Sequence, residues 1–209
     1  MPETKTTIHF VRHGQVYNPD DIFYGRLPGW KLSAEGLRQA QSLGPFFAGR
    51  GIKIIHSSPL LRARQTAQII STLLDPVEVK ISASLLECHT PYDGTPGKVL
   101  TQRNYDIYTG NTPPFEQPLD VFRRTQRFIR RVLKARPGEE VIAVTHADVI
   151  VFLTLWAQGY EVSFQNKSRI EHRQIPLAFP APASVTSLTW NGADGLPQFA
   201  YFPNSWQAV

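Results

Sequence analysis

Cysteine is almost missing from this sequence. The lone Cys88 excludes an internal disulfide and agrees with a reducing compartment. There is no run of eighteen or more apolar residues, so no helical membrane span is expected. Residues 1–5 are polar and lack the apolar stretch of a secretory signal, which points to a cytoplasmic protein. No internal repeat is present. Metal-ligand spacing is lacking too. His9 and His13 are four apart, a spacing that shares a face only on a helix, whereas this segment reads as a strand and no Glu follows His9. No metal and no cofactor are expected.

Charge of one sign is in modest excess. The formal net charge is +5, and residues 123–136 hold seven Arg and Lys, more than the whole surplus. Arg123, Arg127, Arg130, Arg131 and Lys134 fall on one helical face opposite the apolar one, the pattern of a solvated helix. No aromatic residues interleave there and no nucleic-acid module is visible, so no nucleic-acid partner is expected.

The 209 residues, 42% of them hydrophobic, suit a single compact domain over 1–209 with a small insertion. Residues 6–11, Thr-Thr-Ile-His-Phe-Val, predict a first strand buried on both faces, ending at Arg12-His13-Gly14. A long loop follows. Ser33 predicts the N-cap of a helix running to about Ala48, with Leu37, Ala40, Leu43 and Phe47 inward. Residues 52–56 predict a second strand. Ser57-Ser58-Pro59 opens a helix with Leu60, Ala63, Ala67 and Ile70 inward. Val77, Val79 and Ile81 alternate with polar residues in a third strand. Residues 88–118 hold five prolines and read as a loop-rich cap over the site. A helix over 119–135, a strand over 141–145 and a helix over 150–156 follow. Residues 184–190 and 198–202 predict two strands joined as a hairpin by turn signals at Asn191-Gly192 and Asp194-Gly195. Strands alternating with helices predict an α/β class fold, a three-layer α/β/α sandwich with a mostly parallel central sheet and a C-terminal hairpin.

In such sheets ligands bind beyond the carboxyl ends of the strands. Arg12, His13, Glu87 and His146 all lie just past predicted strand ends, and Arg62 lies at the start of a helix. Their chemistry suits phosphoryl transfer, which needs an in-line nucleophile, positive charge and a proton for the leaving oxygen. A neutral imidazole at His13 supplies the first. Gly14 beside it lets a substrate approach the backbone closely. Arg12 and Arg62 supply charge that matches phosphate oxygens, and His146 adds a donor. Glu87 supplies the proton if its pKa is raised toward neutrality.

The stretch Ile8-His9-Phe10-Val11-Arg12-His13-Gly14 resembles the opening strand and Arg-His-Gly motif of the histidine phosphatase superfamily, the phosphoglycerate mutase-like fold. Ser58-Pro59-Leu60-Leu61-Arg62-Ala63-Arg64-Gln65-Thr66-Ala67 resembles its second motif. Leu85-Leu86-Glu87 is similar to its acid motif and Val144-Thr145-His146-Ala147 to its second histidine motif. Leu32-Ser33-x-x-Gly36 fits the family pattern as well. The resemblance implies a phosphorylated nucleophile at His13, a phosphate pocket of Arg12, Arg62 and His146, and a proton donor at Glu87.

The departures point toward the phosphatases. Gln15 stands where the mutases typically carry glutamate, and the segment from Glu87 to His146 is shorter than theirs. Ala147 replaces a glycine, Tyr24 stands where some phosphatases place glutamine, and Asn18 lies one residue earlier than the pocket asparagine. Asn18, Tyr24, Arg26 and Ala147 are expected at the substrate. Tyr24, Arg26, Trp30 and the cap, with Tyr92, Tyr105, Tyr108 and Phe115, are expected to form a partly aromatic wall for a small phosphorylated substrate. Phosphoglycerate mutase-type transfer and a non-catalytic phosphoester-binding protein are the alternatives.

Overall fold

A computed structural model describes residues 5–192 and 195–204. The first five-residue segment, apart from Lys5, lies outside these residues, as does Asp194 of the second turn signal.

The chain runs β1 (Lys5–Arg12), α1 (Ala34–Gln41), α2 (Gly44–Phe47), β2 (Ile54–Ser57), α3 (Leu61–Leu73), β3 (Glu78–Ile81), a 3₁₀ turn (Ala83–Leu85), α4 (Gly97–Gln102), α5 (Pro118–Ala135), β4 (Glu140–Thr145), α6 (Ala147–Ala157), α7 (Phe164–Glu171), β5 (Val185–Asn191) and β6 (Gln198–Phe202). The strands form one sheet in the order β3-β2-β4-β1-β5-β6. β3, β2, β4 and β1 are parallel, whereas β5 runs antiparallel to β1 and pairs with β6 as the expected hairpin.

Period-two burial on both faces makes the three layers. Ile8, Phe10, Ile54, Val141 and Ala143 join one apolar cluster with α5 and α6; Val11, Ile55, Ile142 and Val144 join another with α2 and α3. α6 is buried on nearly every side, as its composition of valine, isoleucine, leucine and phenylalanine dictates. The apolar face of α5 is as expected, and its start is fixed by a reciprocal capping box between Gln117 and Asp120 with Pro118 following.

Several local expectations are corrected. The helix predicted over 33–48 is two helices, because Pro45 has no N–H to give and its ring clashes with the carbonyl four residues back, at Gln41, where α1 ends. Leu37 is 40% exposed and Gly36 faces inward in its place, whereas Ala40, Leu43 and Phe47 are buried as expected. α3 begins at Leu61, after Pro59, because the Ser58 N–H still bonds the Val144 carbonyl and keeps the chain extended. Leu60 is accordingly only half-buried. Ile81 is exposed on an edge strand. α7 carries no expectation in the sequence reading, although Ser163 caps it by accepting the Asn166 N–H.

Gly14 has a structural reason besides the one expected. A Cβ on Gly14 would lie 2.5 Å from the Gly36 carbonyl oxygen, and one on Gly36 would lie 2.0 Å from that of Gln15. The two glycines therefore permit a backbone-to-backbone approach between the loop after β1 and α1. Ser33 completes it, capping Gly36 N–H and donating to the Gln15 side chain at 2.7 Å. Gly36→Ala is expected to cost about 1–3 kcal/mol through overpacking against backbone, read from the denaturant midpoint. Leu37→Ala, one residue away and exposed, is expected to stay within about 0.5 kcal/mol.

Candidate active site

Strand register brings the two motif histidines together. Arg12 pairs with Thr145 across β1 and β4, and the His13 N–H bonds the Thr145 carbonyl at 3.0 Å. The next residue on each strand is a histidine, and the His13 and His146 rings lie 5.1 Å apart. Both are buried at the carboxyl rim of the parallel strands.

The hydrogen bonds fix the His13 tautomer. Nδ1 lies 2.8 Å from the Gly14 carbonyl, which can only accept, so Nδ1 carries the proton. Nε2 then holds the lone pair, and it accepts from Arg62 Nε at 3.1 Å, a group that can only donate. Burial first, then Arg62 and Arg12, hold the His13 pKa well below its ordinary value. The ring is a neutral imidazole whose unprotonated nitrogen faces the Arg62 guanidinium.

Arg62, the second residue of α3, is fully buried and organises the site. Its Nη2 donates to the Gly25 carbonyl at 2.7 Å and lies 3.3 Å from His146 Nδ1. Its guanidinium carbon sits 4.6 Å from the centroid of the Tyr24 ring, whose other neighbour is Trp30 at 5.3 Å. His146 Nδ1 therefore accepts, and Nε2 donates to Ser58 Oγ at 2.7 Å. His146, also held neutral by burial and then Arg62, orients the guanidinium rather than presenting a free donor. Arg12 is tied through Nη1 to the Pro180 carbonyl at 2.7 Å. Among the described residues Arg62 Nη1 and Arg12 Nε, both buried, have no hydrogen-bond partner, and buried N–H groups without an acceptor are costly unless an anion takes them.

Glu87 follows the 3₁₀ turn that Thr145 anchors by donating to the Leu85 carbonyl at 2.8 Å. Its Oε1 accepts the Cys88 N–H at 2.8 Å and its Oε2 is 4.0 Å from His146 Nδ1. Burial first, then the Asp148 carboxylate, raise its pKa to about 7. That places its proton exchange near neutrality, as general acid–base work requires.

A cavity of about 700 Å³ opens over this cluster and is lined by Arg12, His13 and Glu87, with Arg62 and His146 fully buried and absent from its lining. Tyr24 and Ala147, the first residue of α6, line it as expected. Asn18 lines it as well, but its amide is engaged twice by the Ile22 backbone, at 2.9 and 3.0 Å, and shapes the loop. Arg26 is not in the wall. It supports Glu87 from behind, giving Nε to the Glu87 carbonyl at 2.7 Å and Nη2 to Glu116 at 2.8 Å. Of the four cap aromatics only Tyr105 reaches the cavity; Tyr108 is buried with its hydroxyl on Asp148, Tyr92 packs on Arg103 and Phe115 on His89. The cap closes on itself where the Glu116 N–H bonds the His89 carbonyl at 2.8 Å and the His89 N–H bonds the Glu116 carboxylate at 2.9 Å. His9, apart from the site, bonds Ser187 and Glu140.

Residues 8–195 match the family model of the Histidine phosphatase superfamily (branch 1). The chain belongs to this superfamily. The uncharacterized protein Rv0525 of Mycobacterium tuberculosis is 33% identical over 199 residues, 92% of this chain and 93% of that one. The uncharacterized phosphatase PhoE of Bacillus subtilis is 29% identical over 77% of this chain and 82% of its own. Among solved folds, the mycobacterial glucosyl-3-phosphoglycerate phosphatase Rv2419c superposes with a TM-score of 0.72 at 22% identity, covering 96% of this chain and 99% of that one.

Several residues of the site in this superfamily member escaped the sequence reading. Ser58 and Thr66, which accepts the Gly14 N–H at 3.1 Å, stand inside the quoted second motif, so a signal existed. Arg124 carried none. It reads as one more cation of the basic helix, yet it is buried, ion-pairs Glu116 at 2.7 Å and donates to the Glu87 carbonyl at 3.1 Å. Burial pushes the Glu116 carboxyl up, but Arg124 and the other donors outweigh it and hold it below the ordinary range. The stabilisation is thus present above the ordinary carboxyl pKa and lost as pH falls through the lowered one. Glu116→Ala is expected to cost about 2–3 kcal/mol, because two arginines, only one of them buried, lose their shared part-buried counter-charge. Chemical denaturation checks it, and a loss under about 1 kcal/mol would refute the anchor.

Proposed function

We propose that this chain hydrolyses a small phosphate monoester through a phosphohistidine on His13, without a metal. The observation that carries the reading is the fixed His13 tautomer, with Nε2 basic and turned to Arg62 while Nδ1 is held by the Gly14 carbonyl. The protonated Nδ1 side keeps the imidazole neutral and leaves one nitrogen for attack.

Substrate phosphate oxygens take the donors of Arg12 and Arg62, including the two buried N–H groups that lack partners among the described residues. They compete for Arg62 Nε and release the Nε2 lone pair. Nε2 bonds to phosphorus as the phosphorus–oxygen bond to the alcohol breaks, and the leaving oxygen takes the Glu87 proton. Water then attacks phosphorus, gives its proton to the Glu87 carboxylate, and the Nε2–phosphorus bond breaks to release phosphate. Both arginines stay charged throughout, so they supply the electrostatic stabilisation that a metal would otherwise give. The cap over 88–118 belongs to the same domain and closes the cavity around the alcohol part. The single buried thiol of Cys88 is compatible with a reducing cytoplasm.

The test is phosphate release from a panel of monoesters with EDTA present, together with rapid acid quench. Turnover undiminished by EDTA and an acid-labile phosphoprotein are expected. His13→Ala is expected to lose at least about three orders of magnitude in kcat and all of the phosphoprotein. A phosphorylated product isomer instead of free phosphate would establish a mutase.

Glu87→Gln is expected to slow alkyl phosphates by about 10²–10⁴-fold but 4-nitrophenyl phosphate far less, since that leaving group needs little proton assistance. Glu87 must be protonated at the start of the cycle. With its pKa at about 7, kcat/KM for an alkyl phosphate is therefore expected to be level at lower pH and to fall as pH rises through that value. An unchanged rate up to well above neutrality would exclude Glu87 as the acid.

A further inference from the structure

Beyond the groups used on the phosphoryl end, the cavity wall carries a second ionic cluster. Asp148, in the first turn of α6, accepts the Tyr108 hydroxyl and stands 3.7 Å from Lys167 Nζ. Lys167, on α7, is 3% exposed, and its ammonium lies 3.0 Å from the Glu171 carboxylate one turn on. Asp148, Lys167 and Glu171 all line the cavity, as does Asp21, whose carboxylate packs on the Gly97 backbone.

Formal charges can be counted along this wall, leaving histidines aside. Its only cations among the described residues are Arg12 and Lys167. Arg12 is assigned to the phosphoryl group, and Lys167 is already flanked by two carboxylates. Three carboxylates, at Asp21, Asp148 and Glu171, therefore face one committed ammonium where the alcohol part must lie. A second anionic group on the substrate would enter a partly apolar cavity, lose its hydration there and meet like charge. Lys167 cannot offset this without giving up Glu171.

We propose that the site selects monoesters whose alcohol part carries no negative charge, hydroxylated or cationic, and discriminates against those bearing a carboxylate. This rests on the phosphatase reading above and adds the class of leaving group to it.

Two matched pairs test it. Glycerol 3-phosphate and 3-phosphoglycerate share a carbon skeleton and differ by a hydroxymethyl against a carboxylate; phosphoethanolamine and phosphoserine differ by a carboxylate alone. With the intact chain, kcat/KM is expected to favour the carboxylate-free member of each pair by at least about tenfold. Glu171→Gln, at a partly exposed side chain, and Asp21→Asn are each expected to narrow that ratio by about threefold or more, through gain on the carboxylate-bearing member. 4-Nitrophenyl phosphate serves as the reference. If it is hydrolysed but the carboxylate-bearing members are equal or better, the charge selection is overturned and the phosphatase reading stands. A preference that neither variant changes also overturns it, since the wall is then not its source. If no ester is hydrolysed, 4-nitrophenyl phosphate included, both readings fall.

Discussion

A single guanidinium, that of Arg62, holds the site together. It lies at the start of α3 with no exposure to solvent, and it touches the β1–α1 loop at two points, His13 and the Tyr24–Gly25 turn, and the β4–α6 junction through His146. Each contact constrains a partner. Because a guanidinium only donates, His13 Nε2 and His146 Nδ1 must both accept, which sets the tautomers of both rings at once. Withdrawing a charge this far from water is expensive, so its neighbours have to present acceptors or aromatic faces. The local sequence does so with a carbonyl, two imidazoles and a phenol ring.

The same constraint makes chemistry and fold inseparable along the rim. Parallel register places the histidines side by side, α3 delivers the arginine between them, and the short turn after β3 brings the acid to within 4.0 Å of His146. The acid itself is governed by burial and by a neighbouring carboxylate, while the arginines near it pull the other way. Its useful pKa is thus a balance among groups on four separate segments.

Much of this was legible in the residues. Strand order along the chain, the hairpin, the helical face of α5 and the convergence of Arg12, His13, Arg62, Glu87 and His146 all follow from periodicity and motif spacing. What the sequence hid was mostly pairing between distant positions. Arg124 and Arg131 look alike as helix cations, yet one is buried on Glu116 and the other bonds Ser84 at the surface. Arg26 reads as a pocket residue because it follows Gly25 and Tyr24, but Glu116, ninety positions later, draws it beneath the acid loop. Gly14 suggested room for substrate, and only the approach of Gly36 reveals why a side chain is forbidden there. The cap aromatics could not be sorted by composition, since whether a ring lines a cavity or fills a core depends on the path of a loop without regular period.

The closure between His89 and Glu116 has an evolutionary consequence. Residues 90–115 leave and re-enter the body at adjacent points, clamped by two hydrogen bonds, and Glu116 also secures the loop of the acid through Arg26 and Arg124. Lengthening or shortening such an excursion costs little chain entropy so long as its base is kept. Exchange of this segment between members does not stop at that base, however: Leu100, Ile107 and Tyr108 of the excursion are buried in the main apolar core and the Tyr108 hydroxyl rests on Asp148, so a transplanted segment has to bring equivalents of all three with it.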